Sequence, residues 1–373
     1  MDWIKQLGIT PDTPVGAIAL GSTDSLYIGS TTQSETEPHW QATIAQYSLQ
    51  GEQQWQQSIE LPMAAAITHV AVSRDRLYSL GTVNIDAEPE QTQTEVWLAA
   101  YTLTGELQWL NKLRSVYPQQ PDDLIVDAKG FLYIAGHTTP TDVDPEGWLE
   151  KYDPDGDRLW QTSLGKYEAS TPLRLCLGED PTARTKFARM AIYVAGSTAM
   201  PVALPNSEEG EAQEAAQQTW LARYSSEGIQ RWITGLGPAA TLHCAGLTTN
   251  AEHQLYGVGQ AVKAGVIPAG PWLAQYDAQG QQALFTSLGL AKDQAIAQLV
   301  STPTGLQLVG LSSADEVWIS TYTPAGFGEQ SSVVIEGQVQ RVTGAVAIAD
   351  GLILSGQMMT ETGLQQWVAK VIV

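Results

Sequence analysis

The 373-residue sequence predicts an all-β fold, namely a seven-bladed β-propeller of four-stranded antiparallel blades. A strand of the form Leu-Tyr-x-x-Gly recurs along the chain, as at residues 132–136, and a Trp-x-x-x-Tyr segment follows it, as at residues 148–152. Each clear copy continues with a turn that ends in Gly and then with a second Trp. A period of roughly 45–60 residues with four short strands in each period is typical of a propeller.

The Trp-x-x-x-Tyr segment defines the blades. Copies begin at Trp97, Trp148, Trp220, Trp272, Trp318 and Trp367, and a divergent copy begins at Thr43. The predicted blades span approximately 14–61, 66–113, 121–165, 171–237, 241–290, 294–337, and 341–373 plus 2–8, within a single domain of residues 1–373. The last copy ends without a fourth strand, and residues 2–8 read like an outer strand. We therefore expect the N-terminal strand to complete the C-terminal blade, because closing the ring removes free strand edges.

The turn after each hairpin strand supports this division. Six four-residue turns have Gly in fourth place and Asp, Ser or Thr in first place: 48–51, 102–105, 153–156, 225–228, 277–280 and 323–326. A side-chain oxygen in first place can accept hydrogen bonds from the turn backbone, and Gly takes the positive φ that closes the hairpin. Asp153, Asp155 and Asp157 also resemble the start of a calcium loop, but the twelfth position is Leu164, so we interpret this segment as a turn.

Eleven of the twelve tryptophans occupy the two repeated Trp positions, and Trp40 is the exception. Because each blade buries both faces against its neighbours, we interpret these side chains as core. An aromatic cage that binds a ligand is the alternative. The second Trp position is predicted to hold Leu284 in blade 5 and Gln330 in blade 6. Blades 1 and 6 are the degenerate copies, and blade 1 reads Leu-Tyr-Ile-Gly-Ser, with its Gly one residue earlier than in the other blades.

The segments 147–165, "GWLEKYDPDGDRLWQTSLG", and 219–237, "TWLARYSSEGIQRWITGLG", resemble the bacterial seven-bladed propeller repeat called SBBP. The resemblance covers most of the chain. It implies a propeller scaffold, commonly at the cell surface or outside the cell, and it carries no shared catalytic residues. A weaker likeness to the pyrroloquinoline-quinone-type propeller repeat rests on the Gly and Trp that end the hairpin. We find no polar set for that quinone and expect no cofactor.

The formal net charge is −21, from 40 acidic and 19 basic residues. Nucleic acids and anionic membranes require a basic surface, so the charge argues against both as partners. The loops that join the second strand of a blade to the third contain sixteen acids, against Lys263 as the one base. These acids are Glu35, Glu37, Asp86, Glu88, Glu90, Glu95, Asp142, Asp144, Glu146, Glu208, Glu209, Glu211, Glu214, Asp315, Glu316 and Glu361.

These loops share one end of the propeller with the connections between blades, so we expect that end to be strongly negative. One interpretation is a docking surface for a basic protein partner or for cations. The other is a solvated face that keeps the protein soluble. The candidate binding residues are Glu88, Glu90, Asp142, Asp144, Glu208, Glu209 and Glu211.

A second candidate site is the central axis, where inner strands are predicted to carry His69, Asp123, Arg174 and His243. Together these could line an axial channel, a common ligand position in propellers, or they could be hydrogen-bonded core residues. No two histidines have a metal-ligand spacing, and no catalytic residue is assigned because no phosphate loop, nucleophile elbow or Cys-His motif is present.

Cys176 and Cys244 fall on predicted inner strands of neighbouring blades, and we expect buried, reduced thiols. No apolar run is long enough to cross a membrane, and no signal peptide is visible, so we expect a soluble protein. It would be cytoplasmic if the chain is complete and extracytoplasmic if a leader has been removed.

Three functions remain open. The first is a non-catalytic protein-interaction scaffold that presents acidic loops. The second is a carbohydrate-active hydrolase or lyase with carboxylates at the axial mouth. The third is a surface or adhesive propeller that depends on Ca²⁺.

Overall fold

Seven four-stranded antiparallel sheets form a ring, as the repeat predicted. The computed structural model describes residues 2–10, 17–21, 24–33, 40–61, 64–86, 92–140, 144–166, 172–180, 189–198, 218–236, 241–263, 270–290, 294–323, 325–335 and 337–372. Within these ranges no helix is long and apolar enough to cross a membrane.

Blades 1 to 3 follow the chain in order. Blade 1 contains β2 (Ala17–Leu20), β3 (Ser25–Gln33), β4 (Trp40–Ser48) and β5 (Gln53–Ser58). Blade 2 contains β6 (Ala65–Ser73), β7 (Arg76–Asp86), β8 (Thr92–Thr102) and β9 (Leu107–Leu113). Blade 3 contains β10 (Gln119–Val126), β11 (Leu132–Thr138), β12 (Glu146–Tyr152) and β13 (Arg158–Lys166).

Blades 4 to 6 repeat this arrangement. Blade 4 contains β14 (Arg174–Glu179), β15 (Met190–Thr198), β16 (Gln218–Ser225) and β17 (Gln230–Gly235). Blade 5 contains β18 (Thr241–Thr249), β19 (Leu255–Lys263), β20 (Gly270–Tyr276) and β21 (Gln282–Ser287). Blade 6 contains β22 (Gln294–Thr302), β23 (Gly305–Ser312), β24 (Val317–Thr323) and β25 (Gly326–Val333).

Blade 7 joins the two ends of the chain, which confirms the predicted closure. Its strands are β26 (Gln338–Ile348), β27 (Gly351–Thr360), β28 (Gly363–Ile372) and β1 (Trp3–Ile9). The N-terminal β1 lies antiparallel to β28, with Trp3 opposite Lys370 and Gln6 opposite Trp367. The apolar core lies between adjacent blades, where the buried side chains form seven clusters.

In blades 2 to 7 the first repeated Trp and the Gly at the end of the second-strand motif form a cross-strand pair. Gly196 lies opposite Trp220, and a β-carbon at Gly196 would lie 2.7 Å from that indole ring. Gly356 and Trp367 form the same pair in blade 7. The indole therefore needs a glycine beneath it, which explains why the two residues recur together.

Blade 1 replaces both members of this pair. Ser30 lies opposite Thr43, and the Thr43 hydroxyl is 3.2 Å from the Ser30 hydroxyl. Its glycine, Gly29, stands one residue earlier and faces Ile67 of blade 2. The smaller Thr leaves room for a side chain at position 30, so the loss of the Trp and the shift of the Gly are coupled.

In five of the seven blades the second repeated Trp joins the blade to the next one, a contact we call the Trp clamp. Its indole ring lies on the turn glycine of the following blade, where it would be about 3 Å from an added β-carbon. In Trp3, Trp109, Trp160 and Trp232 the indole nitrogen also donates to a carbonyl of that turn, at 2.9–3.1 Å. The five clamps are Trp3 on Gly51, Trp55 on Gly105, Trp109 on Gly156, Trp160 on Gly228 and Trp232 on Gly280.

Blades 5 and 6 lack the Trp clamp. Leu284 stands in the clamp position of blade 5, opposite Gln275, as predicted. In blade 6 the prediction of Gln330 is wrong by one residue. Gln330 lies opposite Ser320, so the clamp position falls on Glu329. The cause is a shorter hairpin in blade 6. Tyr322 pairs with Phe327, five residues later, whereas Tyr152 of blade 3 pairs with Arg158, six residues later.

Five of the six hairpin turns have the predicted hydrogen bonds, whereas in the blade 6 turn the Thr323 hydroxyl donates to the carbonyl of Gly326 at 3.4 Å. The Asp153 carboxylate accepts hydrogen bonds from the backbone N–H groups of Asp155 and Asp157, at 3.0 and 2.9 Å. The Ser48 hydroxyl accepts the equivalent bonds in blade 1. Asp155 is further paired with Arg76 of blade 2 at 3.0 Å. The turn that begins at Asp153 therefore has the same hydrogen-bond pattern as the turn that begins at Ser48.

Candidate functional site

The structure places three of the four predicted axial residues at equivalent positions of consecutive blades. His69, Asp123 and Arg174 each lie opposite the residue that precedes the glycine of the second strand. In the other four blades this position holds Gly246, Gln298, Gly344 and Ala17. The ionisable side chains at this position therefore lie in blades 2 to 4, on one side of the innermost ring, and blade 6 contributes the uncharged polar Gln298.

His69 and Asp123 each connect their own blade to the next. The His69 ring lies 3.0 Å from the Thr68 hydroxyl and also hydrogen-bonds the main chain of Asp122 in blade 3. Asp123 accepts one hydrogen bond from its neighbour Leu124 and another, at 2.8 Å, from the backbone N–H of Leu175 in blade 4. Burial lowers the pKa of His69, so its ring is uncharged at neutral pH.

Arg174 spans three blades. Its Nε donates to the carbonyl of Ala245 in blade 5 at 2.9 Å. Its Nη1 lies 3.5 Å from the carbonyl of Asp122 in blade 3 and 3.3 Å from that of Leu173. His69, Asp123 and Arg174 thus form a chain of side-chain to backbone hydrogen bonds from blade 2 to blade 5, which we call the axial staple. This arrangement matches the interpretation of hydrogen-bonded core residues.

His243 does not belong to the axial staple. In blade 5 the position equivalent to that of the three staple residues is held by Gly246. His243 lies nearer the start of β18, opposite Gln260. Burial alone lowers its pKa, without an electrostatic contribution from Asp123 or Arg174. The sequence therefore placed it on the correct strand but not in the same cluster.

A buried Asp122–His137 pair was not predicted as a candidate site. His137 Nδ1 lies 2.9 Å from a carboxylate oxygen of Asp122, and both side chains are more than nine-tenths buried. Asp122 is the extra residue of a β-bulge in β10. A bulge shifts the direction of the next side chain, and no local sequence signal reveals it. Across the described ranges, no group of three or more His, Cys, Asp or Glu could hold a metal ion.

Cys176 and Cys244 are free and buried, as expected from the sequence. Burial raises the pKa of the Cys244 thiol to about 12 and that of Cys176 well above its usual value. A thiol that stays protonated is a poor nucleophile and a poor metal ligand.

We therefore expect neither cysteine to react with a disulfide reagent such as dithionitrobenzoate in the native protein at pH 8. Both should react once the protein is unfolded in urea, because the thiols then regain ordinary acidity and access. The measurement is the thionitrobenzoate released per chain before and after urea is added. Rapid release of one equivalent from the native protein would contradict this assignment.

The predicted acidic end of the propeller is only partly described; we call it the loop face. Its connections join second to third strands and one blade to the next. Of the candidate binding residues, Glu88, Glu90, Asp142, Glu208, Glu209 and Glu211 lie outside the described residues. Asp144 is described, and its carboxylate is paired with Lys166 at 2.7 Å.

Lysines of the outer strands reduce the negative charge of the loop face, which the loop sequences alone did not indicate. Besides the pair at Asp144, Glu95 lies 3.2 Å from Lys112 of β9. Glu146, Glu316 and Glu361 are exposed on this face. The opposite end also bears carboxylates, but basic residues such as Arg76 and Lys370 lie among them and form ion pairs.

No protein-family profile matches the chain, and no curated protein does. Solved structures match over nearly the whole chain. A chain of the mitotic checkpoint complex has a TM-score of 0.59 at 9% identity, covering 100% of this chain and 94% of its own. The β-propeller domain of the Trilobed protease from Pyrococcus furiosus has a TM-score of 0.54 at 10% identity, with 95% of each chain covered.

A polysaccharide lyase described as a PL25 ulvan lyase has a TM-score of 0.57 at 10% identity, covering 98% of this chain and 93% of its own. At such identities the likeness concerns the fold alone. Proteins described as WD40 repeats and a polysaccharide lyase share it. The comparisons therefore support a seven-bladed β-propeller fold and leave its activity open.

Proposed function

We propose that this propeller is a non-catalytic protein-interaction scaffold and that its loop face binds a basic partner. The observation that supports this most is the distribution of charge. The sequence predicts sixteen acids at this end, and of the described ones Glu146, Glu316 and Glu361 are exposed. Such a field raises the rate and selectivity of association with a positively charged surface.

The residues at the axis support a catalytic function less than the charge of the loop face supports binding. Each residue of the axial staple uses polar atoms to hold a neighbouring blade. A general base must instead have an atom within reach of a substrate proton. We therefore place a carbohydrate-active function second. A Ca²⁺-dependent function of the loop face comes third, because Asp144 and Glu95 of that face are paired with Lys166 and Lys112.

The fold and the Trp–Gly pairing of blades 2 to 7 also accord with the bacterial SBBP repeat. We propose that the chain belongs with that repeat. A scaffold role suits such a repeat, because a rigid ring holds many loops at fixed positions without any one of them being needed for chemistry.

The test is a charge reversal with a matched control. We expect the triple variant Glu146→Lys, Glu316→Lys, Glu361→Lys to weaken binding of an oligolysine peptide by about tenfold or more at low ionic strength. The control is Glu52→Lys, Glu106→Lys, Glu252→Lys, which makes the same change in net charge on exposed residues at the opposite end. It should weaken binding by less than about threefold. Isothermal titration calorimetry measures both.

A rise from about 50 mM to about 300 mM NaCl should also weaken binding to the native protein, because salt screens exposed charges. If both triple variants weaken binding equally, the peptide responds to net charge only and the proposal of a directed loop face fails. Binding that does not depend on salt would contradict it as well.

A further inference from the structure

The seams on both sides of blade 6 differ from the other five. Leu284 and Glu329 occupy the clamp positions of blades 5 and 6, so neither seam has an indole from the preceding blade. The turn glycine of blade 6, Gly326, has no atom within 4 Å of the position where its β-carbon would be. Blade 7 has no hairpin turn to receive a clamp, because its fourth strand comes from the N-terminus.

Directional contacts are abundant at the seams that keep the clamp. Between blades 3 and 4, Trp160 and Lys151 both donate to the carbonyl of Ser226, at 3.0 Å each, and Thr162 donates to that of Gly228 at 3.2 Å. Between blades 2 and 3, Asn111 donates to the carbonyl of Gly156 at 3.1 Å. Such bonds fix one blade relative to the next in position and angle.

The described residues of blade 6 make apolar contacts with both neighbouring blades. Tyr256 of blade 5 meets Tyr322 of blade 6 edge to face, with 6.3 Å between ring centroids, and Phe327 packs on Tyr322 at 4.8 Å. Towards blade 7, Val309 and Ile319 join an apolar cluster with Leu354 and Trp367. Apolar packing is strong but not directional, so it resists a small displacement less than a hydrogen-bonded clamp does.

From this contrast we propose that blade 6 is the local-opening unit of the propeller. Its outer strands separate from blades 5 and 7 while the rest of the ring stays closed. The chain termini are not the point of opening, although they meet in blade 7. The β1–β28 ladder and the Trp3 clamp hold them, with Trp3 Nε1 donating to the carbonyl of Leu49 at 2.9 Å. Local opening of this kind exposes backbone amides without global unfolding.

Hydrogen exchange with mass spectrometry tests the proposal on the full chain. Amides of β24 and β25 should exchange about tenfold or more faster than the matched amides of β12 and β13 in blade 3. The variant Leu284→Trp places an indole beside the open position at Gly326. It should slow exchange in blade 6 severalfold and leave blades 2 to 4 unchanged.

The converse variant Trp160→Leu removes a clamp from the seam between blades 3 and 4. It should raise exchange there towards the rate of blade 6, and it keeps the test valid if Leu284→Trp folds poorly. Uniform exchange around the ring would overturn the proposal. So would fastest exchange in β1 and β28, or wild-type rates in blade 6 of a folded Leu284→Trp protein.

Discussion

Deleting residues 2–9 is expected to lower the free energy of unfolding by at least about 5 kcal/mol. The deletion removes the strand that pairs with β28 and takes away the Trp3 clamp on Gly51. It also leaves an unpaired edge on β28, which favours aggregation. Because a typical domain is stable by only about 5–15 kcal/mol, most of the protein should be unfolded or aggregated at 37 °C. Urea denaturation followed by far-UV circular dichroism measures the loss.

A synthetic peptide of residues 1–10 provides the control. If β1 acts as a separate strand that completes blade 7, the peptide should bind the truncated protein and raise its melting temperature as its concentration increases. The matched peptide with Trp3→Ala keeps the backbone ladder but lacks the clamp, so its effect should be much weaker. A truncated protein with native stability, or equal rescue by both peptides, would contradict the role assigned to β1 and to its indole.

The blade pattern was predictable because it depends on local spacing. The strand period, the turn glycines and the need to close the ring all follow from residues close in sequence, and β1 was placed correctly on that basis. The clamp position of blade 6 was predicted one residue too late, at Gln330. Its hairpin is one residue shorter, and counting from Gly326 does not reveal this.

The axial cluster was only partly predictable for a different reason. That His69, Asp123 and Arg174 occupy equivalent positions follows from the repeat. Their partners follow from the angle between blades, which sequence spacing does not encode. The Ala245 carbonyl that accepts from Arg174 belongs to the next blade, and the β-bulge at Asp122 brings that carboxylate to His137. Lys166 lies in the same blade as Asp144, and this pair was missed for another reason: loop sequences taken alone do not show which outer-strand side chains reach them.

The glycine–tryptophan pair gives the second large effect. Trp220→Thr is expected to cost about 3–5 kcal/mol, because it opens a cavity in a buried position. Gly196→Ser alone should cost about 1–3 kcal/mol, since the new side chain would collide with Trp220 and Leu173. Both collisions involve side chains only, so they can be relieved without moving the backbone. Equilibrium urea denaturation of Trp220→Thr, of Gly196→Ser and of the double variant that combines them measures the double-mutant cycle.

The double variant reproduces in blade 4 the Ser30–Thr43 pair that blade 1 uses naturally. It should therefore cost at least about 1 kcal/mol less than the sum of the single changes, because the serine partly fills the space that the indole leaves. The control combines Gly196→Ser with Trp318→Thr in blade 6, where the two sites share no contact and the costs should add. If the blade 4 pair were equally additive, the recurrence of Gly with Trp would need an explanation other than direct packing. A clear coupling would mean that the Gly and the Trp of a blade depend on each other for packing, as the replacement of both residues in blade 1 already indicates.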